Sequence, residues 1–126
     1  MKLLIILFIL NLLFPQLIGV DIGVQLPILP MDGLSVPLQD DVLGVIDEYD
    51  PLVFVAHDNL AGDHIKNIIN QDAIYLLYSN GTKVEYHFKS LKWVDTNSLV
   101  NDIYVGNDII FQTCSNGKIL IIYVSK

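Results

Sequence analysis

The chain has 126 residues, with seven lysines and no arginine against fourteen acidic residues, for a net charge of −7. That length carries one compact domain, and that charge excludes the phosphate-neutralising surface of a nucleic-acid binder and the polybasic patch of a protein held on anionic lipid. A single cysteine, Cys114, excludes an internal disulfide framework and any zinc site built from clustered cysteines.

Hydrophobic residues make up 52% of the chain and mean hydropathy is +0.50, with much of the excess at the start. Met1-Lys2 precedes an apolar run from Leu3 to Phe14, broken only by Asn11 and followed by Pro15-Gln16. A basic residue, a short apolar core and a breaker make the pattern of a secretory signal. Residues 1–20 are therefore set aside as a signal peptide or N-terminal anchor. No clean small-x-small cleavage site follows, and a membrane tether would use residues 3–20, close to the ~20 apolar residues a spanning helix needs. The expected location is secreted or extracytoplasmic and membrane-anchored.

In residues 21–41, Pro27, Pro30 and Pro37 forbid a helix and predict an extended leading segment or edge strand. The main domain is expected over 42–126. "VLGVI" (42–46) reads as a short strand closed by the acidic turn "DEYDP". "LVFVAH" (52–57) is the continuous apolar run of a strand buried on both faces. In "DNLAGDHIKNII" (58–69), Leu60, Ile65, Ile68 and Ile69 fit one or two helical turns, with Asp58, Asn59 and Asp63 as candidate caps. "AIYLLYS" (73–79) and "KVEYHFKSL" (83–91) flank the hairpin signal Asn80-Gly81. In the second arm Val84, Tyr86 and Phe88 share one face, opposite Lys83, Glu85, His87 and Lys89. Residues 95–102 read as a loop, and "IIFQTC" and "KILIIYV" as strands around "SNG". The sum is a mostly β domain with one short helix, for which closure into a barrel would remove exposed edges.

Chemistry has few places to sit. His87 lies on a polar strand face and His64 inside the helix, each without an evident partner. His57 and Cys114 each end an apolar strand. If those strands pair in parallel, the two residues leave the sheet at one edge, where loops carry functional groups. Imidazole beside a thiol is the minimum equipment of thiol catalysis. Asp58 and Asp63 beside His57 and His64 make a weak metal set, because neighbours on a strand point apart. No metal and no cofactor is expected. Asn80-Gly81-Thr82 is also an N-glycosylation sequon on a hairpin tip.

Taken together, "VAHDNLAGDHIKNI", "LLYSNGTKVEYHF" and "IYVGNDIIFQTCSNGKILIIYV" resemble the sortase family, over about residues 52–126. "QLPILP" and "LSVPL" are similar to that family's leading segment. The resemblance implies a closed eight-stranded β-barrel with one short helix and a cysteine transpeptidase. On it, Cys114 is the nucleophile that forms a thioester with a peptide or protein substrate, His57 the general acid/base, and Thr113 the supporting residue before the nucleophile. An amine acceptor, or water, would release the product. Lys118 stands where the family has arginine. It keeps the charge and loses the planar fork. The connections after the 83–94 strand and after Cys114 are shorter than usual, which leaves substrate identity open.

The turn after Cys114 admits two registers. A two-residue Asn116-Gly117 loop pairs Ser115 with Lys118 and turns Lys118 away from the thiol's face. A three-residue Ser115-Asn116-Gly117 loop sets Cys114 opposite Lys118. The second is the expectation, and only it allows Lys118 a part in the chemistry. Three functional readings stay open: an active transpeptidase or peptidase, a catalytically degenerate sortase-like domain that binds peptides or partners, and a secreted β-domain whose cysteine is buried or bridges two molecules.

Overall fold

The computed structural model describes residues 14–31, 36–46, 52–95, 109–115 and 117–126. Among them eight strands and one helix follow in order. They are β1 (Leu17–Asp21), β2 (Gln25–Pro30), β3 (Leu43–Ile46), β4 (Leu52–Ala56), α1 (Gly62–Lys66) with a 3₁₀ turn (Asn67–Asn70), β5 (Ile74–Tyr78), β6 (Lys83–Val94), β7 (Ile109–Ser115) and β8 (Lys118–Ser125). The strands close into a barrel in the order β1-β2-β3-β4-β7-β8-β6-β5. The mostly β barrel with one short helix is the observed fold.

Strand alternation sorts the apolar residues into two layers. Phe54 and Ala56 of β4, Ile109 and Phe111 of β7, and Leu120, Ile122 and Val124 of β8 fill the interior with Val20, Leu26, Leu43 and Leu76. Val53, Val55, Ile110, Ile121 and Tyr123 form a second layer on the outside, with Met31, Val36, Ile46, Val94 and Ile119 packed against it. Burial on both faces is why residues 52–57 read as an unbroken apolar run. Phe54 and Phe111 are register partners across the parallel β4–β7 ladder, and their rings stack with centroids 4.9 Å apart.

The helix plugs the end of the barrel at which β4 finishes. Ala61, Ile65 and Ile68 are fully buried in the interior core. None of the expected caps is used, since the N-cap is Ala61 with no side-chain bond. Asn59 turns through a φ of 64°, and the His57 carbonyl accepts from the N–H groups of Leu60 (3.2 Å) and Gly62 (3.0 Å). That carbonyl closes the turn, leaving Asp58 free to pair with Lys66 instead.

The leading segment differs from expectation. The barrel begins at Leu17, not at residue 42, and β1 takes in Leu17–Val20 from the stretch set aside as a signal or anchor. Residues 1–13 lie outside the described part. No helix among the described residues is long and apolar enough to cross a membrane. Nor is β2 an edge strand. Its first half pairs antiparallel with β1 (Asp21↔Gln25 to Gly19↔Pro27) and its second half parallel with β3 (Ile28↔Leu43 to Pro30↔Val45). Pro27 falls at the hand-over and Pro30 at the last residue, where a missing N–H costs a ladder least. The acidic turn at 47–51 and the loop beyond Asp95 lie outside the described residues.

Candidate active site

The parallel pairing that the sequence left as a condition is present: β7 runs parallel to β4, with Ala56 paired to Thr113. The next positions along the two strands are His57 and Cys114. Neighbouring strands lie ~4.8 Å apart, so the chain leaves the two strands at one edge of the sheet, through His57 on one and Cys114 on the other. Thr113 faces inward and is 1% exposed. Cys114, one residue on, turns outward and is exposed, while His57 is half-buried. The thiol sits at the rim of the outer apolar layer, paired across the ladder with Ile119.

Lys118 is not where the three-residue loop would put it. Ser115 pairs with Lys118 and Cys114 with Ile119, leaving the two residues 116–117 between the arms. Gly117, at φ 77°, supplies the positive φ that a two-residue hairpin requires. Because register partners share a face, Lys118 belongs with Leu120 and Ile122, and Ile119 with the thiol. The reason is packing. A one-residue slip would exchange the inner and outer layers of β8, driving Tyr123 into the barrel and Leu120 and Ile122 out of it. The expectation that Cys114 and Lys118 are cross-strand neighbours is therefore corrected. The hairpin between β5 and β6 is the one with three residues. Tyr78 N–H donates to Thr82 O (3.0 Å), and Gly81 takes a φ of 84°. At its tip the Asn80 Oδ1 accepts from the Thr82 N–H at 3.0 Å.

One residue that sequence reading passed over joins the two halves of the site. A Cβ built on Gly62 would stand 2.2 Å from Thr113 Oγ1 and 2.4 Å from the His57 carbonyl oxygen. The start of α1 is thus wedged between the residue before the thiol and the backbone of the histidine. Any side chain there would push the two apart. The signal was present in "Leu-Ala-Gly", but a glycine by itself does not announce a close approach. Thr113 Oγ1 is buried and has no hydrogen-bond partner among the described residues.

The other two histidines lie on α1 and β6. His64 is half-buried on α1. His87 is held on the surface, with Nδ1 3.0 Å from Asp72 O and Nε2 3.0 Å from Glu85 Oε2. It pairs with Ser125, at the opposite end of β8 from Ile119. No group of three or more metal-ligating side chains occurs among the described residues. A cavity of about 340 Å³, lined by Leu17, Ile28, Val45 and Leu52, opens at the start of β4, the end away from His57.

No protein-family profile and no curated relative matches the chain. Solved structures do. Sortase A from Corynebacterium diphtheriae superposes with a TM-score of 0.67 at 18% identity, covering 88% of this chain and 60% of that one. Sortase C from Clostridium perfringens gives 0.65 at 20% identity, covering 86% and 68%. Sortase C2 of pilus island 1 from group B Streptococcus gives 0.64 at 20%, covering 85% and 71%. The chain thus has the sortase fold in a shorter form, spanning about 60% of the length of the Corynebacterium enzyme.

Proposed function

We propose that this chain, built on the sortase fold, is a cysteine transpeptidase acting on a peptide or protein substrate outside the cytoplasm. The observation that carries the reading is the parallel register of β4 and β7, whose last pair, Ala56↔Thr113, is followed in the sequence by His57 and Cys114. In the proposed cycle the Cys114 thiolate attacks a peptide carbonyl, forming a carbon–sulfur bond. The carbon–nitrogen bond breaks as His57 gives a proton to the leaving amine, and a thioester remains. An acceptor amine, or water, then attacks the thioester and returns a proton to His57 as Cys114 leaves. The exposed thiol and half-buried imidazole suit a large substrate arriving over the outer apolar layer. The apolar run from Leu3 to Phe14 supports export or tethering.

A second reading has its own observation. With Ile119, and not Lys118, across from Cys114, that row of the sheet supplies no cation for the oxyanion. A chain of this kind could hold a peptide without turning it over. Intact-mass measurement after incubation with a peptide library separates the two. An acyl adduct on the wild-type protein, absent from Cys114→Ala and discharged by an added amine, supports the transpeptidase. Saturable peptide binding with no adduct at any pH would leave the binding domain.

A further inference from the structure

β6 is twelve residues long and is shared between two neighbours. Its start pairs with β5, from Leu77↔Lys83 to Ile74↔Tyr86. Its remainder pairs with β8, from His87↔Ser125 to Val94↔Ile119. From Phe88 to Val94 the side of the strand turned away from β8 carries no ladder among the described residues. Among the described residues this is a strand edge of seven residues without a neighbour, and its two faces differ.

Phe88, Leu91 and Trp93 pair with Val124, Ile122 and Leu120, all interior residues, yet are 37%, 39% and 49% exposed. Among the described residues no strand lies beyond them. On the other face Lys92 pairs with Ile121 of the outer layer and holds its Nζ 5.8 Å from the Tyr123 ring centroid. Lys89, in the register shift between Phe88 and Ser90, is exposed as well. Three of the seven lysines of a chain with net charge −7 lie on this one strand.

We infer that the Phe88–Val94 edge of β6 is a docking site for an extended acidic segment of a partner polypeptide, added as a further strand. A strand laid on an edge sets its side chains beside those of the edge, face by face. The occupant that fits alternates apolar residues, against Phe88, Leu91 and Trp93, with carboxylates, against Lys89 and Lys92. A second copy of this chain fits worse. Antiparallel self-pairing would bring lysine face onto lysine face, and edge lysines are the device that discourages it.

Trp93 is the chain's only tryptophan and reports on the edge directly. The probes are acetyl-(Val-Glu)₄-amide, its (Val-Lys)₄ counterpart and a (Val-Glu)₄ peptide with alternate backbone amides methylated. Cys114→Ala protein is used so that thiol chemistry cannot contribute. The glutamate peptide is expected to shift Trp93 emission to the blue saturably and to shield it from acrylamide. Binding should be at least about tenfold weaker for the lysine and methylated peptides, and should weaken with salt. In Lys89→Glu/Lys92→Glu the order of the two charged peptides should reverse, with far-UV circular dichroism unchanged. No saturable change with the glutamate peptide, or an equal response to both charges, overturns the inference. A peptide-free shift that grows with protein concentration also overturns it and assigns the edge to a second copy.

Discussion

Ala56 and Thr113 face each other as the last paired residues of the parallel β4–β7 ladder. Parallel strands end at one edge, so whatever follows each of them is brought together. Here those followers are His57 and Cys114. The pairing joins segments far apart in sequence, with α1, β5 and β6 forming the crossover between them.

The register of the next hairpin makes the first prediction. With Ser115 across from Lys118 and Ile119 across from Cys114, the lysine lies on the other face from the thiol. Lys118→Ala should change the alkylation rate of Cys114 by iodoacetamide by less than about twofold. A larger loss would mean that the ammonium reaches the sulfur.

Gly62 is tested by adding one carbon. A methyl group there meets Thr113 Oγ1 and the His57 carbonyl well inside contact distance, at 2.2 and 2.4 Å. Gly62→Ala should cost about 1–3 kcal/mol in urea unfolding, the usual penalty for overpacking a tight site. An unchanged midpoint would show that the wedge between the two site residues is loose.

Thr113 predicts the opposite sign. Its hydroxyl is buried without a partner among the described residues, so valine, of nearly the same shape, removes an unsatisfied polar atom. Thr113→Val should leave stability unchanged or raise it by about 1 kcal/mol. A clear loss of stability would reveal a bond to the hydroxyl.

Tyr75 supplies a pH dependence. Its hydroxyl donates to Glu85 Oε1 at 3.1 Å. That hydrogen bond first, then the carboxylate's charge, slight desolvation and Asp21, hold its pKa above the usual phenol value. A raised acid favours the neutral form in the fold. Its contribution is whole below the unfolded pKa of ~10 and is lost as pH rises through the higher folded value. Absorbance at 295 nm should show the Tyr75 step moving to lower pH in Glu85→Gln. A titration identical in both proteins would mean that the bond does not form in solution.

Much of this molecule is legible before folding. The strands β4, β5, β7 and β8 announce themselves as β-branched and aromatic runs, and Asn80-Gly81 marks its hairpin. His57 and Cys114 stand out as polar groups at the ends of apolar strands. Prolines hide β2, because a strand shared half and half between two neighbours tolerates them where a fully paired one would not, and β1 is hidden at the end of the apolar stretch that reads as a signal or anchor. The register of β8 is hidden for a different reason. Ile119, Ile121 and Tyr123 alternate with Leu120, Ile122 and Val124, so both faces are apolar and no pattern tells inside from outside.

What the sequence determined by itself was the kind of each element from β3 onward, the single short helix and the two groups able to do thiol chemistry. These follow from local periodicity and residue type, which act over a few positions. Only the tertiary structure decided that β4 and β7 run side by side, that Gly62 wedges against Thr113 and the His57 backbone, and that Lys118 falls on the far face from Cys114. Those outcomes depend on which strand ends meet when the barrel closes and on which layer accepts each side chain. Both are properties of packing between distant segments, and no local pattern carries them.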